Sequence, residues 1–238
     1  MTTNKPLYEG KAKRLFATED ELILKVEYKN DLTAFNGEKK VSHLGKGKLN
    51  NAISALIFEQ LTEEGIPNHF VKKISETEQL VKRSKLIPIE VVIRNVAAGS
   101  LVKRLGLTEG ETLKTSIVEY YYKDDALKDP LISEDHIFLL DLISEQGLKQ
   151  IRELALKVNE KLTELFLQCG LRLIDFKLEF GLLDGEIILI DEISPDTCRL
   201  WDEESDEKLD KDVFRHDLGN VVEAYEEVYH RLEKAILK

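Results

Sequence analysis

The sequence is poor in cysteine and has no long apolar run. Its two cysteines, Cys169 and Cys198, are far apart among 238 residues and follow no metal-ligand spacing. Two distant cysteines are typical of reduced thiols in a reducing compartment. No apolar run approaches the roughly 20 residues that span a bilayer, and the first residues carry no apolar signal segment. These absences predict a cytoplasmic protein that makes no membrane contact.

A net positive charge is also lacking. The formal net charge is −11, whereas a protein that binds a nucleic-acid backbone presents a basic surface. The charge balance therefore predicts no nucleic-acid partner, although a local basic pocket for a phosphorylated metabolite stays open. The hydrophobic content of 42% is ordinary for a globular chain, and the length suffices for one large domain or two small ones.

What the sequence does contain is a predicted hairpin with a charged face. Residues 175–180 alternate charged and apolar side chains, which is typical of a strand with one buried face. A turn signal at residues 184–185 and an apolar strand at residues 187–190 complete the hairpin. The charged face of the first strand carries an acid, a base and a second acid, namely Asp175, Lys177 and Glu179.

The length of the hairpin loop decides whether two carboxylates meet. An odd number of loop residues places Glu179 and Asp191 on one face, whereas an even number separates them across the sheet. Two converging carboxylates would suit Mg²⁺, and a solvated strand face with cross-strand ion pairs is the alternative. The dense acidic run at residues 191–196 favours the metal site, because clustered acids repel one another unless a positive charge lies among them.

Two other segments could bind phosphate. Residues 10–14 place a glycine and three basic residues between two predicted strands, as in loops that cover phosphates in kinase-type enzymes; a basic hairpin turn is the alternative. Ser100 is predicted to cap a short helix after a break at Gly99, and Arg94 could bind the same anion from the end of the preceding strand. An ordinary helix cap, with Arg94 in a surface ion pair, fits this segment equally well.

The remaining pattern predicts an α+β protein with a seam near residues 82–88. Short strands dominate the first 30 residues, and an amphipathic helix follows residue 48. The longest predicted helix begins at Ser144 and ends before Gly170, and the tail is predicted as two helices split near Gly219. We therefore predict a small β-rich domain over residues 1–84 and a larger α+β domain over residues 85–238.

Together these segments resemble the SAICAR synthetase (phosphoribosylaminoimidazole-succinocarboxamide synthase) family of purine biosynthesis. The matching segments follow one another in order over nearly the whole chain: residues 7–13, 45–47 with 50–51, 88–95, 98–106, 123–126, 129–130, 175–181, 191–196, 199–201 and 210–215. The resemblance implies ATP-dependent amide formation between a carboxylated aminoimidazole ribonucleotide and L-aspartate. It also implies an ATP-grasp- or kinase-like nucleotide cleft between the two domains, and a homodimer.

The resemblance further implies roles for individual residues. Glu179 and Asp191 would hold Mg²⁺, and the reacting end would be lined by Asp175, Lys177 and Asp129. The residues that would contact ATP are Lys11, Ala12, Lys13, Leu24 and Lys82. The residues that would bind the ribonucleotide are Arg94, Ser100 and Arg199.

Two other functions are compatible with such a site. A small-molecule kinase would use the same Mg–ATP site and stop at a phosphorylated product. A catalytically inactive nucleotide-binding module is the second alternative, and the intact set of Lys177, Glu179 and Asp191 argues against it.

Two local features complete the expectation. An acyl phosphate hydrolyses readily, so a loop should close over the site, and residues 45–47 are the candidate. Many members of the family carry Gly-Asp-Gly where this chain has Phe35-Asn36-Gly37, so Asn36 is assigned no catalytic role.

Overall fold

The computed structural model describes residues 5–34 and 39–236. Within them lie six helices and thirteen strands, and every strand pairing is antiparallel. The helices are α1 (Lys46–Glu63), α2 (Gly99–Leu105), α3 (Glu134–Leu139), α4 (Glu145–Gln168), α5 (Asp212–Arg215) and α6 (Val221–Ile236). The strands are β1 (Tyr8–Glu9), β2 (Lys13–Ala17), β3 (Ile23–Tyr28), β4 (Asp31–Ala34), β5 (Lys39–Ser42), β6 (Phe70–Lys73), β7 (Glu78–Lys82), β8 (Lys85–Val96), β9 (Thr112–Tyr122), β10 (Leu131–Ile132), β11 (Leu171–Leu183), β12 (Glu186–Ile190) and β13 (Cys198–Asp202).

The strands form two main sheets that divide the chain near residue 84. The first sheet has the order β1-β2-β3-β7-β6 and ends at Lys82. The second has the order β10-β9-β8-β11-β12, with β13 added beside β11, and begins at Lys85. The small hairpin of β4 and β5 stands apart from both sheets.

The second sheet changes partners in the middle of β11. One edge of β11 pairs with β8, while the other edge pairs first with β13, up to Phe176, and then with β12, from Glu179 onward. Between these two stretches the Lys177 amide donates to the Thr197 carbonyl at 2.9 Å. The chain that leaves β12 and returns as β13 therefore forms a turn directly beside Lys177, in the centre of the sheet.

One hydrophobic cluster joins the helices to the second sheet. It contains Ile53 and Phe58 of α1, Phe176 of β11 and Tyr225 of α6, none more than 1% exposed. Apolar residues spaced three and four apart along α4 join the same cluster, as the amphipathic pattern predicts. Since α1 precedes the sheet boundary and α6 follows it, the parts of the chain before and after residue 84 share one hydrophobic core. The division into two domains at residue 84 stays a prediction.

Most predicted elements are present, with one clear correction. Ser144 caps α4 by accepting a hydrogen bond from the Gly147 amide at 3.1 Å, and the tail forms α5 and α6 on either side of Gly219. The prediction that residues 45–47 form a closing loop was wrong, because Lys46 and Gly47 are buried and form the first residues of α1. A side chain on Gly47 would place its Cβ 2.7 Å from the Tyr28 carbonyl oxygen, so this helix start is packed against backbone.

Two further expectations concern Asn36 and membrane-spanning segments. Asn36 lies outside the described residues, so its assignment stays a prediction. No helix in the described part of the chain is long and apolar enough to cross a membrane.

Candidate active site

A cleft of about 590 Å³ lies between the two sheets. Its volume is in the range of sites that hold small molecules. The first sheet contributes the basic β1–β2 loop, and the second contributes the charged face of β11. The predicted site residues that line the cleft are Lys11, Ala12, Lys13, Leu24, Lys82, Asp129, Lys177, Glu179 and Asp191.

The hairpin brings Glu179 and Asp191 together, although its loop has an even number of residues. Residues 184–185 form the loop, and Glu179 pairs with Ile190, so strict alternation would turn Asp191 to the other side. Asp191 instead lies beyond the end of β12 with a φ of +70°, a left-handed conformation that aspartate tolerates better than most residues. Lys177 Nζ lies 2.5 Å from Glu179 Oε1 and 3.2 Å from Asp191 Oδ2. The expectation that an even loop separates the two acids was wrong, because the chain leaves the strand before Asp191.

A third acid faces Glu179 from the neighbouring strand. Glu90 of β8 is the direct cross-strand partner of Glu179, and two like charges in that position repel each other. Lys177 Nζ lies 3.2 Å from Glu90 Oε1, and Lys123 Nζ lies 2.8 Å from Glu179 Oε1. The two lysines therefore hold the acidic pair together.

Lys13 brings the basic loop of the first sheet into this group. Its ammonium group pairs with Asp191 and lies 3.2 Å from Glu192 Oε1. We call the full set the lysine–carboxylate cluster; it comprises Lys13, Glu90, Lys123, Lys177, Glu179, Asp191 and Glu192. Its ion pairs connect the two sheets across the floor of the cleft.

The neighbours of Lys177 and Asp191 stabilise the charged forms of these two residues. Burial lowers the pKa of Lys177, but Glu179, Asp191 and Glu90 outweigh it, and the pKa lies well above its ordinary value. Burial alone would raise the pKa of Asp191, but Lys13 and Lys177 hold it well below the ordinary range. At neutral pH, Lys177 therefore presents an ammonium group and Asp191 a carboxylate to the cleft.

The donor set suits one kind of metal site. Within residues 5–34 and 39–236, no three His, Cys, Asp or Glu side chains are arranged to hold an ion by themselves. Mg²⁺ is usually bound by one or two carboxylates and completes its shell with water and substrate phosphate oxygens. Glu179 and Asp191 fit that pattern, because both carboxylates line the cleft and already share one cation, Lys177.

A second charged group gathers the predicted ribonucleotide residues around Asp175. Arg94 Nη1 lies 2.7 Å and Arg199 Nη1 2.9 Å from Asp175 Oδ2, and Arg94 Nη2 donates to Ser100 Oγ at 3.0 Å. Gly99 has a φ of +55°, which favours glycine, and a Cβ there would lie 2.6 Å from Arg199 Nη2, so a side chain at this position would displace the guanidinium. The geometry brings Arg94, Ser100, Asp175 and Arg199 together.

Two details of this second group differ from the sequence expectation. Ser100 does not cap α2, because the helix begins at Gly99 and Ala98 occupies the N-cap position. Arg94 is not in a surface ion pair: it is 3% exposed and also binds Glu119 at 2.7 Å. The cap prediction was wrong because the helix begins one residue before Ser100, and the surface-pair alternative was wrong because Arg94 is buried.

Asp129 reaches the cleft from the loop that joins β9 to β10. Its carboxylate accepts a hydrogen bond from the Asp124 amide at 3.0 Å, and its φ is +48°. Asp125 of the same loop forms an ion pair of 2.7 Å with Lys11. The acidic loop thus folds toward the hairpin and meets the basic β1–β2 loop above the cluster.

The sequence interpretation missed several charged residues of the cleft. Glu90 and Lys123 belong to the lysine–carboxylate cluster, and Lys211 and Arg215 line the cleft nearby. A glutamate inside the apolar run Ile87–Ile93 was a usable signal for Glu90, because an isolated acid in a buried strand needs a partner. Lys211 and Arg215 lay in a segment that matches the family but was given no role.

Comparison with known proteins identifies the same family that the sequence motifs resemble. The family model described as SAICAR synthetase matches residues 6–232. The phosphoribosylaminoimidazole-succinocarboxamide synthase of Bacillus mycoides (strain KBAB4) is 61% identical over 227 residues, which cover 95% of this chain and 95% of the relative. That of Bacillus subtilis (strain 168) is 58% identical over 230 residues, covering 96% and 95%.

Solved structures agree with these relatives. The phosphoribosylaminoimidazole-succinocarboxamide synthase of Ehrlichia chaffeensis superposes with a TM-score of 0.94 at 48% identity, covering 96% of this chain and 98% of the other. A SAICAR synthetase solved in complex with ADP superposes with a TM-score of 0.92 at 50% identity, covering 94% and 96%.

Proposed function

The chain belongs to the SAICAR synthetase family, and we propose that its cleft joins the carboxylate of an aminoimidazole ribonucleotide to the amine of L-aspartate. It is an ATP-dependent ligase of purine biosynthesis. The observation that carries the proposal for the site is the lysine–carboxylate cluster. It gathers three lysines and four carboxylates where the basic loop of one sheet meets the charged strand of the other.

ATP is proposed to lie along the first sheet. Ala12 and Leu24 give the cleft an apolar wall, while Lys11 and Lys13 stand at the loop that a triphosphate would pass. Lys82 is exposed at the end of β7 on the same side. The similar SAICAR synthetase solved with ADP supports a nucleotide in this protein as well.

The ribonucleotide is proposed to place its phosphate against Arg94, Ser100 and Arg199. Two guanidinium groups suit a phosphate, because each offers several donors in a planar fork. Asp175 lies between the two arginines and holds both in place, at 2.7 and 2.9 Å. This arrangement would keep the phosphate clamp formed before the substrate arrives.

The reaction needs activation because a carboxylate is a poor electrophile. We propose that an oxygen of the ribonucleotide carboxylate attacks the γ-phosphorus of ATP, so that ADP leaves and an acyl phosphate forms. The amine of L-aspartate then attacks the acyl carbon, loses a proton, and expels phosphate as the amide bond forms. Two anions thus meet in the first step, and their charge must be offset for it to proceed.

The chain's own residues supply most of that compensation. Lys13, Lys123 and Lys177 are held by carboxylates on the floor of the cleft, so they need little rearrangement to face the transferred phosphoryl group. Glu179 and Asp191 would hold Mg²⁺, which supplies further positive charge at the phosphate oxygens. Asp129 stands across the cleft, where it can orient the reacting groups.

Isotope transfer tests both the product and the route. Protein supplied with ATP, Mg²⁺, L-aspartate and a ribonucleotide labelled with ¹⁸O in its carboxylate should release ¹⁸O-labelled phosphate and one SAICAR per ADP. Omission of L-aspartate should stop the release of labelled phosphate. A stable phosphorylated ribonucleotide formed without aspartate would identify a kinase instead, and unlabelled phosphate would exclude the acyl phosphate.

Two broader expectations from the resemblance are also proposed. The protein is expected to form a homodimer, which light scattering of the purified chain would test through its mass. It is expected to act in the cytoplasm, where its phosphorylated substrates are made; fractionation of the source cells would test this.

A further inference from the structure

Lys211 is a largely buried cation that lacks a counter-ion of its own. Its side chain lines the cleft, yet its ammonium group makes no hydrogen bond or ion pair with any other residue in the described part of the chain. Burial lowers the pKa of Lys211, and neighbouring Asp196 offsets this only in part. A desolvated cation without a partner is costly, so the position calls for an anionic ligand.

Asp196, the acid with the strongest effect on the pKa of Lys211, is already satisfied by other donors. Asp196 pairs with the buried ammonium group of Lys46, accepts from Asn50 Nδ2 at 2.8 Å and accepts from the Tyr225 hydroxyl at 2.7 Å. Asp196 therefore stabilises the charge of Lys211 through space, but it forms no hydrogen bond or ion pair with it.

Arg215 stands beside Lys211 with most of its donors unused. Its Nη1 lies 2.6 Å from Asp212 Oδ1, and it makes no other hydrogen bond within residues 5–34 and 39–236. Asp212 also accepts a hydrogen bond from Arg199 at 2.8 Å. Asp212 therefore bridges Arg215 to Arg199, one of the two arginines proposed to bind the ribonucleotide phosphate. Lys211 and Arg215 thus offer a pair of cations to one region of the cleft.

This pair lies next to the reacting end. The Lys211 amide donates to the Pro195 carbonyl at 3.0 Å, and the Lys177 amide donates to the Thr197 carbonyl at 2.9 Å. One turn, residues 194–197, therefore holds both lysines at neighbouring points of the cleft wall. A small molecule bound to Lys211 could place a reactive group near Lys177.

We propose that Lys211 and Arg215 bind the two carboxylates of L-aspartate. The proposal rests on the proposed function and deepens it. The other anionic groups of the substrates have cations in the proposed arrangement: the ATP phosphates face Lys11 and Lys13, the ribonucleotide phosphate faces Arg94 and Arg199, and the reacting carboxylate of the ribonucleotide faces Lys177. The two carboxylates of aspartate remain. Lys82 lines the cleft on the first sheet, beside the proposed ATP site, whereas Lys211 and Arg215 lie beside the turn at residues 194–197 and have donors available there.

The main test is a substitution that removes the charge of Lys211 and keeps most of its volume. The Lys211→Met variant should raise the KM for L-aspartate about tenfold to a hundredfold, the usual effect of losing a hydrogen bond to a charged group. The KM values for ATP and for the ribonucleotide should change less than about twofold. Lys208→Met is the matched control, because Lys208 lies three residues away, next to Trp201 and outside the cleft lining. It should leave all three KM values unchanged.

Binding of an unreactive dicarboxylate gives a second measurement. Succinate carries both carboxylates of aspartate but no amine, so it should inhibit competitively with L-aspartate. Lys211→Met should weaken that inhibition by the same factor as the KM, and Arg215→Gln should weaken it in the same direction. The variants' thermal unfolding should show that they remain folded; if Lys211→Met does not, Lys211→Gln takes its place.

The outcomes separate this inference from the proposed function. A wild-type protein that makes no amide from the three substrates would refute the proposed function. A wild-type protein that makes the amide, while Lys211→Met keeps its KM for aspartate, would refute only the aspartate site. A selective rise in the KM for the ribonucleotide would also refute it, because Lys211 would then face the other substrate.

Discussion

At Asp191 a single backbone torsion directs a functional carboxylate. With the φ of an ordinary strand residue, Asp191 would continue β12 and face away from Glu179; at +70° it faces Lys177 instead. Its neighbours hold it there, since Lys13 and Lys177 both bind its carboxylate. A strained or uncommon backbone conformation is often found where function requires it. The proposed metal site therefore depends on the turn after the strand as much as on the strand itself.

Glu179 provides the first prediction at this scale. Glu179→Gln removes one of the two charges proposed to hold Mg²⁺, so we expect kcat to fall at least about a hundredfold. The free energy of unfolding should change little, because Lys177 keeps Asp191 and Glu90 as partners and Lys123 keeps Glu90. Steady-state rates and urea denaturation measure the two effects.

Glu186 gives a control within the same hairpin. Its side chain is exposed on β12, outside the cleft lining, so Glu186→Gln should retain full activity. If Glu179→Gln kept normal activity at limiting Mg²⁺, the assignment of Glu179 as a metal ligand would be wrong.

His69 provides a prediction about acid stability. It is 6% exposed, and burial, followed by the nearby Lys13, lowers its pKa to about 3. In the unfolded chain the same group titrates at about 6.5, so the unfolded state binds more protons between these two values. The free energy of unfolding should therefore fall as the pH decreases from about 6.5 toward 3.

The variant His69→Phe should lose that part of the pH dependence. Between pH 7 and pH 4 the wild type should lose about 3 kcal/mol more stability than the variant, while the other titrating groups contribute equally to both. Urea denaturation at a series of pH values measures the difference. Parallel pH profiles for the two proteins would show that His69 is not buried in its neutral form.

At the scale of single elements, the start of α1 is an anchor for the acidic turn. Lys46 is the first residue of the helix, is 1% exposed, and pairs with Asp196, while also donating to the Asp31 carbonyl at 3.0 Å. Breaking a buried ion pair by removing one partner leaves the other charge unpaired and costs about 3–5 kcal/mol. Lys46→Met should lower the free energy of unfolding by roughly that amount.

The same helix contains a matched control. Lys48 pairs with Glu76 at 2.5 Å, but both side chains are more than half exposed. Lys48→Met should therefore change stability by less than about 1 kcal/mol. Equal effects of the two substitutions in urea denaturation would contradict the anchoring role of Lys46.

Elements with a strong local pattern were predictable from the sequence, and contacts between them were not. The alternation around Lys177 identified β11, and the pattern after Ser144 identified α4 with its cap, because both depend on side-chain spacing within one segment. The role of Lys46 could not be predicted, because a Gly-Lys-Gly segment suggests a mobile loop, whereas burial of this lysine depends on Asp196, far away in the chain. Local propensity cannot reveal a partner that tertiary folding supplies.

The candidate site shows the same limit. Its acids were predictable in identity, since Glu179 lies on the charged face of the first strand and Asp191 directly follows an apolar strand. Their convergence was not, because the register alone gives the opposite answer. The resemblance to the family supplied the site residues, and the geometry added Glu90 and Lys123, which form ion pairs within the cluster.

At the scale of the whole molecule, the two sheets divide the chain, whereas the hydrophobic core joins its two parts. The two sheets separate near residue 84, at the position of the predicted seam. The hydrophobic cluster crosses that seam, because α1 packs against α6 and contributes residues to the core of the second sheet. Separating the first 84 residues would expose Ile53, Ile57 and Phe58, all of them 0% exposed in the intact chain.

This shared core leads to a prediction about cooperativity. Exposing several large apolar side chains costs about 1.5–3 kcal/mol for each, which is comparable to the whole stability of a small domain. Neither half should therefore unfold alone, and scanning calorimetry should show one transition whose calorimetric and van't Hoff enthalpies agree. ADP with Mg²⁺ should move that single transition to higher temperature, because the proposed nucleotide site uses both sheets. Two separate transitions, only one of them shifted by the nucleotide, would instead establish residues 1–84 and 85–238 as independent domains.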